Sequence, residues 1–568
     1  MSEIEFDDAC SWPRRLLHVP TMISWPWAPG NRYGSYSRPK YNAVSYTWGR
    51  WEVTDPEKIL NVEYLPVKGV DWTIPRIDPE ARFKVAEFQA MVEDTMTSHP
   101  SASEQERIDF LWLDIACIDQ TNTDENAREV GRQAKIFQGA TSTYIWLSHT
   151  KAFIRSWAPQ FHVQFGMMCK ENFYVEVDLH NWITTTISLI EKLFDDPWFS
   201  SLWTLQEAFL CPNACLIFRD AGKNDFDYCS LKHICQSLLA VRDAVRYNDK
   251  IRAIDLQHGL SNLINKTGLL DAVNGNPMSL LMASRNRTAK YEEDHIYGIM
   301  QVFGFQLGKS APDAIRGHKY SLEELTDQLG KAILLQNPIL SQLHIHTSAA
   351  KYGRAWRFSD SSVIPEDSQP FFQIMHNGGL THHAKLSTIR RPDGILWGRF
   401  SGPVALFKTF ATMLTKDWPG SWVLGNARLM LDKVHSADVY VETNGSLAKV
   451  IWLKKHLPET IIILLALTHP THLDEGKKVN LGSKQWAMGL LVSPGNDSNS
   501  KAHEPQFWRR VGFFIWSVES QRLAAEIAWE PIKALAKEVQ EDPAPVFKEL
   551  PYLRGDDPIW QSMDGIFG

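Results

Sequence analysis

The chain has 568 residues, and because single hydrophobic cores stop growing near about 250 to 300 residues, it predicts more than one folded unit. Hydrophobic residues make up 44% and charged residues 22%, which excludes wholesale disorder. The 59 basic and 66 acidic residues give a net charge of -7 with no long block of either sign, so the electrostatic footprint of a nucleic-acid binder is absent.

Seven cysteines (Cys10, Cys117, Cys169, Cys211, Cys215, Cys229 and Cys235) show no regular framework, and the start MSEIEFDDACSWPRR has neither a basic nor an apolar leader region. Both features predict a reducing, cytoplasmic setting. The longest aliphatic stretch, Ile461 to Leu467, is far too short to span a bilayer and reads as a buried strand, so no membrane-spanning segment is expected. The spacings among the last four cysteines lack closely paired ligand knuckles, and no metal is predicted.

Residues 1–40, rich in Pro, Trp, Gly and Arg without a sustained period, read as an irregular lead-in. Tyr41 to Trp48 reads as a first strand ending at Gly49, Ala81 to Thr95 as a helix, and Phe110 to Ile118 as a central strand buried on both faces. A helix over 124–139 and a strand over 142–147 follow, so the order strand, helix, strand implies right-handed crossovers in a parallel sheet. Helices over 182–194 and 203–209 precede a strand over 214–218. These elements delimit an α/β domain over 41–220 and a mainly helical extension over 221–344, in which Ser321 and Glu324 form a capping box.

From 345 to 568 the texture turns to short apolar or alternating runs between Gly, Pro, Asn and Ser, predicting a mixed α+β, strand-rich region. Strands are expected over 395–400, 438–442, 448–452, 461–467, 486–492 and 511–516, with a terminal helix over 522–539.

The runs YNAVSYTWG, FLWLDIACIDQ and WFSSLWTLQE, with YIWLS between the last two, resemble the signature of the HET domain, the heterokaryon-incompatibility domain of fungal proteins. The likeness extends over Tyr41 to Glu207, with a tail through Arg285 and EEDHIYG, and RRVGFF at Arg509 to Phe514 is similar to a C-terminal motif of long proteins of this type. The resemblance implies a TIR-like, flavodoxin-like sheet and an effector of non-self recognition or cell death. It also implies self-association into a homo-oligomer, or an incompatibility or signalling partner protein. SSLWTLQE is similar to the TIR helix bearing the glutamate of NAD-cleaving members, which places the catalytic role on Glu207 and implies NAD as a substrate rather than a resident cofactor. Ser201 and Trp203 carry over with it.

Cleaving the ribose–nicotinamide bond develops positive charge on the ribose, which one ionised glutamate can stabilise, and nicotinamide leaves as a neutral group. A single carboxylate therefore suffices where an ordinary glycosidase needs two. Trp203 and Glu207 are four apart on one helical face, so the indole stacks on a ligand ring or else packs in the core. Asp114, at the carboxyl end of its strand, either faces the ligand crevice or fixes a loop through backbone amides, Arg128 or Arg132. Ser45, Trp48 and Gln120 stand where strands meet loops and are candidate ligand contacts, although the chain has neither GxGxxG nor GxxxxGK[ST]. Arg285 or Arg287, with Asp294 and His295, reads as a structural brace between the α/β domain and its helical extension. The alternative to an enzyme is a self-associating, non-catalytic scaffold.

Overall fold

A computed structural model describes residues 12–568 except 48–51, 54, 60–61, 79–82, 98–105, 120, 122, 151–175, 220–229, 248–258, 260–261, 264, 271–276, 316, 366–379, 412–426, 433–445, 469–485, 496–506 and 518–558. Two compact units divide the chain, Met1–Leu325 and Thr326–Gly568. It is a mixed α/β protein in which both large sheets combine parallel and antiparallel pairings.

The first unit is built on an eight-stranded sheet of spatial order β4-β3-β2-β1-β6-β5-β7-β8. Its strands are β1 (Arg15–His18), β2 (Ile23–Ala28), β3 (Arg32–Tyr33), β4 (Tyr36–Ser37), β5 (Tyr41–Ser45), β6 (Phe110–Trp112), β7 (Thr143–Leu147) and β8 (Cys215–Phe218). The last four pair in parallel, with β5 between β6 and β7. The lead-in expected to be irregular instead carries four short strands that extend this sheet antiparallel from β6. Its turn residues hide the pattern, because each strand is too short to show a period.

Strand alternation sets the layers. Tyr144 and Trp146 of β7 face one core cluster while Ile145 and Leu147 face the other, and Cys215 with Ile217 and Leu216 with Phe218 divide likewise on β8. The second cluster also receives Trp198 from the turn Pro197–Phe199 and Leu205 and Ala208 from the inner face of the helix that ends the signature motifs.

The helices of this unit used below are α1 (Val85–Asp94), α2 (Asp114–Cys117), α3 (Thr123–Val130), α4 (Gln133–Gly139), α5 (Glu176–Phe194) and α6 (Leu202–Leu210). Two readings are corrected here. The central strand stops at Trp112, and Asp114 opens the one-turn helix α2, because an unbroken apolar run looks alike as a strand or a buried helical turn. The single helix expected over 124–139 is two, α3 and α4, divided at Gly131 and Arg132.

In the second unit, β13 (Leu396–Leu406), β15 (Ile461–Thr468), β16 (Trp486–Pro494), β17 (Phe507–Ser517) and β18 (Gln561–Phe567) pair in a ring, since β13 meets both β15 and β18. Closure leaves these strands with few open edges. The strands β11 (Leu380–His382), β12 (Lys385–Arg390) and β14 (Ala427–Leu431) attach at its margins, and β9 (Ile345–His346) with β10 (Ser362–Val363) forms a separate two-stranded antiparallel pair. The run over 448–452, expected as a strand, lies in the helix Ser446–His456. The strand expected over 438–442 and the terminal helix over 522–539 lie outside the described residues.

The RRVGFF run has a structural explanation within this unit. Val492 pairs with Arg510 and Leu491 with Gly512, so Val511 is an extra residue, a β-bulge. Arg510, 1% exposed, donates to both oxygens of Asp432 at 2.7 and 2.8 Å and to the carbonyls of Gln342 and His344. Asp432 is further held by the backbone N–H of His346 at 2.9 Å.

Candidate functional site

The parallel strands run outward from β5 in both directions, toward β6 on one side and β7 on the other. Loops leaving the carboxyl ends of β5 and β7 therefore part to opposite faces, at the kind of switch point where open α/β sheets commonly hold their ligands. Ser45, 1% exposed, is the last residue of β5 and stands at this place.

Ser45 donates its hydroxyl proton to Glu207 Oε2 and accepts a hydrogen bond from the Trp198 indole N–H at 2.7 Å. The indole can only donate, so the Ser45 hydroxyl hydrogen stays free for Glu207. Glu207 retains some exposed surface. Burial nevertheless dominates its carboxyl group and raises the pKa to about 8, opposed by the Ser45 hydrogen bond and reinforced by the charge of Asp114. With Oε2 accepting from Ser45, Oε1 is left to carry the proton near neutral pH.

Asp114 Oδ1 accepts from Tyr46 OH at 2.5 Å and from the Ile115 backbone N–H at 2.6 Å. Asp114 thus bonds one backbone amide and the Tyr46 hydroxyl. Burial, with the adjacent Asp114 charge, holds Tyr46 well above the usual tyrosine range, so it remains a donor. Its ring lies 5.2 Å from Phe88, which with Phe83, Lys84, Tyr64 and Ile115 lines a hollow of about 280 Å³. Glu207 does not line that hollow.

Two further residues hold the Glu207 helix in place: Asp196, which sequence reasoning passed over, and Arg287, which it named only as one of two arginines of a brace. Asp196, 1% exposed, accepts from His149 N at 2.8 Å, Thr150 N at 3.2 Å and Trp198 N at 3.1 Å, tying the exit of β7 to the turn Pro197–Phe199. Burial lifts its pKa to about 6. Its sequence signal was an acidic residue directly before a Pro at a helix start. Arg287, 3% exposed, donates to the carbonyls of Trp198 at 2.9 Å, Ser201 at 3.1 Å and Thr267 at 2.8 Å. Burial lowers its pKa to about 9. Nothing local in the sequence identifies a guanidinium whose partners are backbone carbonyls.

Of the residues singled out from sequence, Ser45, Glu207 and Asp114 come together. Trp203 is half-buried, with its side chain beside Asp294. Asp294 accepts from the Tyr291 backbone N–H at 3.3 Å. The arginine clamping the helix start is Arg287; Arg285 and His295 are half-buried. Ser201 is the N-cap residue of α6 and contributes its carbonyl, to Arg287 and to Thr204 Oγ1 at 2.9 Å. Trp48 and Gln120 lie outside the described residues. Cys117 is buried and its thiol is pushed up to about 12, so it is not a thiolate at neutral pH.

No helix among the described residues is long and apolar enough to cross a membrane. Residues 41–207 match the family model described as Heterokaryon incompatibility protein (HET). No curated protein and no solved structure matches the chain.

Proposed function

We propose that this chain, whose residues 41–207 form a heterokaryon-incompatibility domain, is an effector of non-self recognition or cell-death signalling that hydrolyses NAD to nicotinamide and ADP-ribose in a TIR-like fold. The observation that carries this reading is the meeting of Glu207, Ser45 and Trp198 at the carboxyl end of β5, with the Asp114 charge felt by Glu207. A perturbed carboxyl group at such a switch point marks a candidate site.

Glu207 in its ionised form is the group that would stabilise the oxocarbenium-like ribose. NAD brings a cationic nicotinamide ring, and a cation beside Glu207 favours the carboxylate over the acid. Substrate binding thus drives off the proton that burial retains. Ser45 orients the carboxylate, and Trp198 fixes Ser45. The hollow beside Tyr46 and Ile115 offers apolar walls for a heteroaromatic ring.

The second reading, a self-associating scaffold without turnover, is favoured by one feature: a carboxyl group with a pKa of about 8 is mostly protonated at neutral pH while no ligand is present. Nicotinamide release from NAD, followed with the wild-type chain and Glu207→Gln at several chain concentrations, separates the two. Turnover that Glu207→Gln abolishes while leaving assembly intact supports the enzyme. Absence of turnover at every concentration supports the scaffold.

A further inference from the structure

A second hollow in the first unit, about 370 Å³, lies between the β1–β2 strand pair and the segment running from α2 to the start of α4, and is lined by neither Glu207, Ser45 nor Asp114. Its volume falls in the range of about 300 to 1,000 Å³ usual for small-molecule sites. Arg14, Arg15, Arg132, Trp27, Trp72 and Glu129 supply most of its chemistry.

Glu129 is 2% exposed. Its Oε1 accepts from the Arg14 backbone N–H at 3.0 Å, whereas its Oε2 has no hydrogen-bond partner. The nearest cationic nitrogens, Arg132 Nη1 and Arg14 Nε, stop 3.8 and 3.9 Å from Oε2, beyond hydrogen-bond distance. The Trp112 indole leans toward the same carboxylate, yet its N–H is also left without a hydrogen bond. A buried acceptor with an open lone pair at the wall of a hollow is costly unless something fills it.

The rest of the lining says what would fill it. Trp72 Nε1 is a second buried polar atom without a partner, and the Arg15 guanidinium lies 5.2 Å from the Trp72 ring centre. Trp27 spends its N–H on Asn31 at 2.9 Å, so toward the hollow it offers ring surface. Arg15 is occupied by the carbonyls of Ser24 and Gly69. Arg14 and Arg132 have side chains 34% and 16% exposed, placing them nearer the rim than Glu129, whose side chain is 3% exposed. Against these three cations stand Glu129 and Asp119, leaving the lining with an excess of positive charge. The arrangement therefore presents an acceptor at the floor, indole rings on the walls and cations at the mouth.

We propose that this hollow binds a nucleoside monophosphate, with its base against Trp27 and Trp72, an exocyclic amine donating to Glu129 Oε2, and its phosphate held by Arg14 and Arg132. Aromatic stacking accepts any base, the acceptor at the floor selects bases carrying an amine, and planar guanidinium groups suit a phosphate. This site stands independently of the NAD reading.

Calorimetric titration of the full chain with AMP tests it. Saturable one-to-one binding is expected, with adenosine, ribose 5-phosphate and inosine monophosphate each weaker by about tenfold or more, because adenosine lacks the phosphate, inosine monophosphate the amine, and ribose 5-phosphate the base together with its amine. Replacing Arg14 and Arg132 together (R14Q with R132Q) should weaken AMP by a similar factor, and Glu207→Gln should leave it unchanged. Absence of AMP binding at about 5 mM by a folded chain overturns the proposal. So does equal affinity for AMP and inosine monophosphate, a comparison made on the wild-type chain that does not depend on any variant folding.

Discussion

Glu207 is a carboxyl group whose ionisation the fold opposes and whose orientation Ser45 fixes. Because its pKa is raised from 4.5 to about 8 in the folded chain, the folded state holds a proton that the unfolded state releases between those values. Its contribution to stability is therefore full below about pH 4.5 and is lost as pH rises through about 8. Denaturant midpoints of wild type and Glu207→Gln should converge in their pH dependence at low pH and separate across this window. A wild-type curve parallel to that of the variant from pH 5 to 8 would show that burial does not shift the group. If ionised Glu207 is the working form, kcat/KM for NAD should rise with pH through about 8, and Ser45→Ala should move that rise to higher pH by removing the hydrogen bond that lowers the pKa. Carboxyl chemical shifts read during a pH titration measure the same displacement without turnover.

At the scale of elements, two devices control geometry. Arg287 holds the start of α6 by three backbone carbonyls, and Arg287→Met should cost about 2 to 4 kcal/mol by leaving buried acceptors unpaired. A chemical-denaturation shift smaller than about 0.5 kcal/mol would mean that water replaces the guanidinium. The other device is the bulge in β17. Gly512 has φ +152°, and a Cβ there would lie 2.0 Å from the Met430 carbonyl oxygen on β14. Gly512→Ala is thus expected to destabilise the second unit by about 3 kcal/mol or more, read as a lowered unfolding midpoint. The bulge admits one extra residue beside Arg510, which lies buried against Asp432, so the motif RRVGFF encodes a strand irregularity together with its internal ion pair.

For the whole molecule, the proposed enzyme has a marker that one site on one copy lacks. If self-association completes the site, nicotinamide release per chain should climb with chain concentration and level off as assembly saturates. Specific activity that stays constant through dilution, with sedimentation reporting single copies throughout, would confine the whole site to one chain. The net charge of -7 belongs to this scale too: retention of the chain on duplex DNA at low salt is not expected.

Local patterning alone determined the parallel α/β core, because β5, β7 and β8 are buried on both faces and announce themselves as apolar runs between turn signals. It also placed Ser45 near the end of its strand and read the Ser321–Glu324 capping box, whose reciprocal bonds are 2.8 and 3.2 Å. Tertiary structure decided the rest. The strands at 15–37 are too short to carry a period, and the helical turn at Asp114 has the same apolar texture as a strand. The five-strand ring depends on pairings between residues far apart in the chain. Asp196, and the partners of Arg287, were illegible for a related reason: those partners are backbone groups, and a backbone N–H or carbonyl is the same at every position until the fold brings it within reach.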